Sequence, residues 1–337
     1  MAKHVFRSMA FLAVAFLGMQ SVTLSAQLAP ADDGPRSKSS GDIPITKDFI
    51  AKIHASVRAI SGSTTESANY AVALGLAKQK IYKFRSIDFP GQSKSTAWGY
   101  DDSTAVGAWS DPDGDDFAFY FRGAFYSPLN VPGAVSSDAF GINATGQIVG
   151  GYYDASSQGH SFLYDKGSFT IVDPPGSTFA EARGITDSGV IVGDYADSHH
   201  HQLGFADTKG VFTTVAYPQA KYTISTGINA SGDVVGAYED HADNGHGFVL
   251  SKGIYSSIDF PLAMTTFAFG INDAGEIAGI YYDSSNAEHG FTYFGGVFYQ
   301  VDVPEAAFTG LSGIAKNGNV VGFIGDSLGE VHGVIGQ

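Results

Sequence analysis

Short apolar runs alternate with polar turns along most of this chain, and one stretch displays the pattern completely. Thr266-Phe267-Ala268-Phe269-Gly270-Ile271 predicts a strand, Asn272-Asp273-Ala274-Gly275 a turn, and Glu276 to Tyr282 a second strand. A polar loop from Asp283 to Glu288 follows, then a third strand from His289 to Tyr293, a tight turn at Gly295-Gly296 and a fourth strand from Val297 to Asp302, ended by Pro304. Gly and Asn reach positive φ at little cost and Pro stops strand pairing, so the punctuation agrees with the apolar runs. Four short strands joined by short turns form an antiparallel meander. The second strand carries no polar face: in Ile148-Val149-Gly150-Gly151-Tyr152-Tyr153 both alternating sets are apolar. A half-exposed sheet would alternate, so each sheet is expected to be covered on both sides.

The pattern repeats every 43 residues: Gly141-Ile142-Asn143 returns as Gly184-Ile185-Thr186, Gly227-Ile228-Asn229, Gly270-Ile271-Asn272 and Gly313-Ile314-Ala315. A fixed period of this length indicates stacked supersecondary units, either an open solenoid or a closed propeller. Pro90, Pro132, Pro175, Pro218, Pro261 and Pro304 mark six fourth strands. The last copy stops at Gln337 after its third strand, while Phe84-Arg85-Ser86-Ile87-Asp88-Phe89-Pro90 precedes any complete copy. That early segment matches the fourth strand Tyr255-Ser256-Ser257-Ile258-Asp259-Phe260-Pro261 at five of seven positions. The orphan strand therefore fits the gap, and closure leaves no open edge between the ends, whereas a solenoid would need distinct capping units. The expectation is an all-β fold, a six-bladed β-propeller of four-stranded antiparallel blades over residues 81–337 with a split closing blade.

The first residues follow a different pattern. Lys3 and Arg7 precede an apolar run from Met9 to Met19, and Thr23-Leu24-Ser25-Ala26 offers a cleavage site, the three-part pattern of a secretory signal over residues 1–26. The run is short for a membrane span and no later segment is apolar enough to cross one. Residues 27–80 read as a linker, with an amphipathic helix at about 46–60 whose apolar face is Phe49, Ile50, Ile53, Val57 and Ile60.

Composition narrows the function. The net charge of -15 disfavours nucleic acid and anionic membrane surfaces, both of which call for a basic footprint. The absence of Cys excludes disulfides and zinc-thiolate sites, so an exported form would rest on burial and backbone pairing alone.

An Asp ends the second strand of each copy, at Asp111, Asp154, Asp197, Asp240, Asp283 and Asp326, and six positions later stands His160, His246, His289 or His332, with Phe117 and Leu203 in the remaining two. Such pairs suit a structural role, Asp capping backbone N–H groups and His bonding across the loop mouth, better than four copies of a catalytic couple. The blocks Gly-Ile-Asn-x-x-Gly-x-Ile-Val-Gly-x-Tyr and His160-Ser161-Phe162, His246-Gly247-Phe248 and His289-Gly290-Phe291 resemble the bacterial extracellular repeat family named for a His-Ala-Phe tripeptide, with Ser or Gly in place of Ala. The resemblance covers about residues 81–337; it implies export and a propeller-like fold, and it supplies no catalytic residues to carry over. Gly325-Asp326-Ser327-Leu328-Gly329 imitates an esterase motif, but Asp326 is the repeat Asp and the strand-to-helix context is missing.

Function is expected where copies depart from the repeat. Just before each Gly of the first strand stand Trp98, Phe140, Arg183, Thr226, Phe269 and Ser312. Trp98, Phe140 and Phe269 beside Arg183 suit sugar rings or an anionic group, and the third copy adds Glu181 and the run His199-His200-His201, which suits a transition metal or acid/base work. Asp111, Asp113 and Asp115 alternate along one loop as oxygen ligands for calcium would, although the EF-hand pattern is not met. The leading expectation is an exported binding or scaffold module for a glycan or protein ligand. Two alternatives stay open: a polysaccharide lyase or hydrolase using Glu181, Arg183 and the third-copy histidines, and a structural envelope protein.

Overall fold

The computed structural model describes residues 75–337. These fall within one compact unit, Ser67–Gln337; the expected signal segment, the helix at about 46–60 and most of the linker lie outside the described residues. All regular structure among the described residues is β, in 25 strands, and no helix there is long and apolar enough to cross a membrane.

The strands group as the period predicts. In one unit Thr265–Ile271, Ile277–Tyr282, Glu288–Phe294 and Val297–Val301 pair antiparallel in sequence order. Four further groups do the same, beginning at Lys94–Tyr100 (unit one), Ala134–Ile142 (unit two), Phe179–Ile185 (unit three) and Tyr222–Ile228 (unit four), so that the group above is unit five. The last group has three consecutive strands, Phe308–Ile314, Val320–Gly325 and Val331–Gly336. Its fourth place is taken by Phe84–Ser86, which pairs antiparallel with Val331–Gly336 in the register Phe84↔Gly336, Arg85↔Ile335 and Ser86↔Val334. The Ile87 N–H donates to Gly333 O at 2.8 Å, and the Ile87 side chain is fully buried against Ala97, Phe119, Val321 and Ile335. The early strand thus completes the last unit.

The invariant Gly has a steric cause. Each first strand carries a register shift at the residue before that Gly, as between Ala182 and Gly184 or Leu311 and Gly313. Trp98, Phe140, Arg183, Thr226, Phe269 and Ser312 are therefore the extra residues of six β-bulges, a device that re-aims one side chain out of the pleat. At four of the six junctions the bulge presses its carbonyl onto the Gly of the unit before, and at Gly184 and Gly270 the next unit's Gly backbone is the close neighbour instead. A Cβ on Gly141 would lie 2.6 Å from Arg183 O, and one on Gly313 would lie 2.7 Å from Trp98 O. The second contact joins unit six to unit one, so the circuit of first strands returns to its start.

Burial follows the third strands. Phe119, Phe162, Phe205, Phe248 and Phe291 occupy one repeat position and are among the largest fully buried side chains. The Phe of the recurring tripeptide is thus a core residue, and burying a side chain of this size stabilises by about 1.5–3 kcal/mol. One element was not legible. Lys78–Gln79 adds a fifth strand to unit five, parallel to Val297–Val301, with Ala77 buried beside Phe260 and Lys80 paired to Glu276 at 2.7 Å.

Candidate functional site

The six repeat Asp residues cap their own loops. Asp154 Oδ1 accepts the N–H groups of Ser156 and Gln158 at 2.8 and 2.9 Å, and Asp111, Asp197, Asp240, Asp283 and Asp326 accept from the same two positions. Where the His is present, it sits between two carboxylates. His160 Nδ1 bonds Asp173 Oδ2 at 2.7 Å while Nε2 lies 3.8 Å from Asp154, and His246, His289 and His332 repeat this with Asp259, Asp302 and Asp88. The second Asp, two residues before the terminal Pro, was missed from the sequence, although a signal exists. Units one and three lose both partners together, with Phe117 and Asn130 in one and Leu203 and Ala216 in the other. Paired loss within one chain is what a structural couple between third and fourth strands produces.

In unit six this couple spans the closure, since His332 and Asp88 come from opposite ends of the described chain. Burial works against the charged form of His332, but Asp88 and Asp326 outweigh it and raise its pKa. Asp88, Asp326 and Glu330 are the ionisable groups around it. A raised His pKa means that the stabilisation is fully present below the unfolded value of about 6.5 and is lost as pH rises through the folded value. The melting-temperature gap between the protein and its His332→Gln variant should therefore narrow on going from about pH 6 to about pH 9, as read by calorimetry; a widening gap contradicts the pairing.

The bulge residues give a second arrangement. The Arg183 guanidinium lies 4.8 Å from the Phe140 ring centroid, Phe140 meets Trp98 edge-on at 5.7 Å, and Trp98 meets Phe323 at 5.7 Å. Trp98, Phe140 and Arg183 are thus brought into one arc, whereas the ring neighbours of Phe269 do not belong to it, its contact being with Phe267 of the same strand. Arg183 is held from behind: its Nε donates to Asp194 Oδ1 at 2.6 Å and its Nη2 to Glu181 Oε2. Asp194 also accepts from Gln202 Nε2 at 2.8 Å. Burial opposes the Arg183 charge, and Asp194 and Glu181 more than compensate, raising its pKa. Asp138 completes the cluster. Burial above all, with Asp116 and Glu181 adding to it, pushes its carboxyl well above the usual carboxylate range. Glu181 is 2 % exposed and Phe140 6 %, whereas Trp98 and Arg183 are both part-exposed. Asp194 and Asp138 were not singled out from the sequence; each departs from small or apolar residues at most equivalent positions, which was the available signal.

Two openings flank these elements. A small one of about 100 Å³ lies at the turns after the first strands, where Ile142, Ile185, Ile228, Ile271 and Ile314 converge. Lys316 Nζ spans it, at 2.7 Å from Asp187 Oδ2 and 3.2 Å from Asp273 Oδ2. A larger cavity of about 380 Å³ lies between units two and three, with Leu163, Ile191 and Phe212 among its apolar walls and Gln147, Asp207 and Lys209 among its polar ones. Neither opening was foreseen.

The metal candidates separate by geometry. Asp111 Oδ1 is engaged by the N–H groups of Asp113 and Asp115, at 2.9 and 3.0 Å. Among the described residues, the groups of three metal-capable side chains with ligand atoms within 4.8 Å of one another are Asp197, His199 and His201, and Asp326, Glu330 and His332.

No protein-family model matches the chain, and no curated protein matches it. Among solved structures, TolB from Acinetobacter baumannii is similar with a TM-score of 0.51 at 11 % identity, over 70 % of this chain and 64 % of that one. AofleA from Arthrobotrys oligospora aligns with a TM-score of 0.47 at 11 % identity, over 76 % and 86 % of the two chains. A point mutant of the Aleuria aurantia lectin in complex with Fucα1-6GlcNAc aligns with a TM-score of 0.46 at 12 % identity, over 71 % and 89 %. At these identities the likeness to TolB concerns the fold, and the two weaker ones carry no inference about a ligand. The described chain is an all-β assembly of repeated four-stranded antiparallel sheets that shares its fold with TolB.

Proposed function

We propose that this chain is an exported six-bladed β-propeller, closed by the strand Phe84–Ser86, that works as a binding module, with a glycan as the favoured ligand. The export and the family resemblance rest on the sequence patterns alone. The observation that carries the binding reading is the cavity between units two and three. At about 380 Å³ it falls in the size range of small-molecule sites. Its apolar walls suit the C–H face of a pyranose, and its carboxylate, amide and ammonium groups suit the ring hydroxyls.

The arc is the second place for a sugar, because part of Trp98 reaches the surface. It is the weaker one, since Arg183 already holds two carboxylates and Phe140 is buried. The same facts speak against the lyase or hydrolase alternative: a general acid or base has to meet its substrate, and Glu181 is 2 % exposed and paired. A glycan array followed by titration calorimetry tests the reading. Phe212→Ala should weaken the best glycan at least about tenfold, the loss of roughly 1.4 kcal/mol expected for a stacking ring, while Trp98→Ala leaves it unchanged. Loss through Trp98→Ala alone moves the site to the arc, and an array with no hit removes the glycan.

A further inference from the structure

Unit three departs from its neighbours at one loop, and the departure leaves an Asp beside two loop histidines, a combination that no other unit repeats among the described residues. In units two, four, five and six the outer oxygen of the loop-capping Asp faces the Nε2 of the third-strand His, at 3.5–3.8 Å. In unit three that His is Leu203 and the fourth-strand Asp is Ala216, so Asp197 keeps its capping role but has no partner within the sheet. Two loop histidines take the place instead. His201 Nδ1 lies 3.0 Å from Asp197 Oδ2, and His199 Nδ1 lies 4.0 Å from the same oxygen.

The backbone prepares this grouping. Asp197 Oδ1 accepts the N–H groups of His199 and His201 at 2.8 and 2.9 Å, which fixes the carboxylate and leaves Oδ2 pointing at both rings. His200, between them, occupies the left-handed turn position with φ of 64°, the conformation that Ser157, Asp243 and Asn286 take in the equivalent loops. The turn therefore places residues 199 and 201, not 200, beside the carboxylate, and their rings stack at 5.9 Å.

We propose that this loop is a binding site for a first-row divalent transition metal, with Asp197 Oδ2 and one ring nitrogen each of His199 and His201 as ligands. The three ligand atoms already lie within 4.8 Å of one another. Zinc-type coordination needs each about 2.0–2.2 Å from the ion, and the exposed rings, at 78 % and 68 %, have room to turn inward. Two imidazoles and one carboxylate suit Zn²⁺ or Ni²⁺ over Ca²⁺, which prefers an all-oxygen set. Three protein ligands leave a coordination position open to water or to a donor on an incoming ligand.

Calorimetric titration of the full, tag-free protein with ZnCl₂ and separately with NiCl₂ at about pH 7.5 tests the site. One saturable equivalent is expected, at least about tenfold weaker in His199→Asn and in His201→Asn. Both variants should keep the metal-free melting temperature, since the replaced rings are exposed. Glu330→Gln, in the other grouping of metal-capable residues, should bind as the parent does. No saturable binding, or binding unchanged in both histidine variants, overturns the proposal; loss confined to Glu330→Gln places the metal at unit six instead.

Discussion

Ile87→Asp is expected to remove about 4 kcal/mol or more of folding stability, as read by urea unfolding. Ile87 is completely buried among side chains from both ends of the chain, and its N–H is bonded to Gly333. Truncating such a residue to Ala costs about 2–5 kcal/mol, and a carboxylate at the same place adds the cost of an unpaired buried charge. Domains of this kind are held by only about 5–15 kcal/mol, so the variant should lose a large fraction of its stability. Ile81→Asp is the matched control. Ile81 is 86 % exposed and only six residues away, and its replacement should stay within about 0.5 kcal/mol. Equal stability of the two variants would mean that the early strand is not docked in the last unit.

Arg183→Met is expected to cost about 3–5 kcal/mol, because it removes the cation bonded to two carboxylates at 2 % and 0 % exposure, Glu181 and Asp194. The triple variant Arg183→Met/Glu181→Gln/Asp194→Asn should recover most of that loss, since buried ion clusters are often replaceable by neutral groups. Urea unfolding of the single and triple variants measures both. A single variant within about 1 kcal/mol of the parent would free Arg183 for a ligand and return the arc to the leading position. The comparison matters because the sequence presents Arg183 only as a cation beside aromatic rings.

What was legible in the sequence is what recurs within one unit. Strands, turns and the loop-capping Asp residues come from contacts between neighbours in the chain, and repetition made each visible several times over. Closure was legible for the same reason, since Phe84 to Pro90 is a fourth strand displaced from its unit. Contacts between units far apart in the chain were not. Lys316 reaches Asp187 in unit three, 129 residues away, and nothing local announces that distance. The parallel addition of Lys78–Gln79 depends on which outer edge the incoming segment passes. For the candidate sites, Trp98, Phe140, Glu181 and Arg183 were identified and are brought together, yet their burial reverses the emphasis. Arg183, an extra residue of a bulge, is bonded to Asp194 on the neighbouring strand. The cavity between units two and three was invisible because its walls are ordinary strand and turn residues whose meaning comes from two sheets meeting.

Amide hydrogen exchange across residues 83–89 tests the closing of the ring most directly. The N–H groups of Lys83 and Ile87 donate to Gln337 and Gly333, both at the far end of the chain, at 2.9 and 2.8 Å. Peptides covering these residues should be as protected as those from Val331–Gly336, and a chain ending at Glu330 should lose that protection while units two to four keep theirs. Exchange of residues 83–89 at the rate of an unstructured peptide in the full chain, with the other sheets protected, would contradict the account.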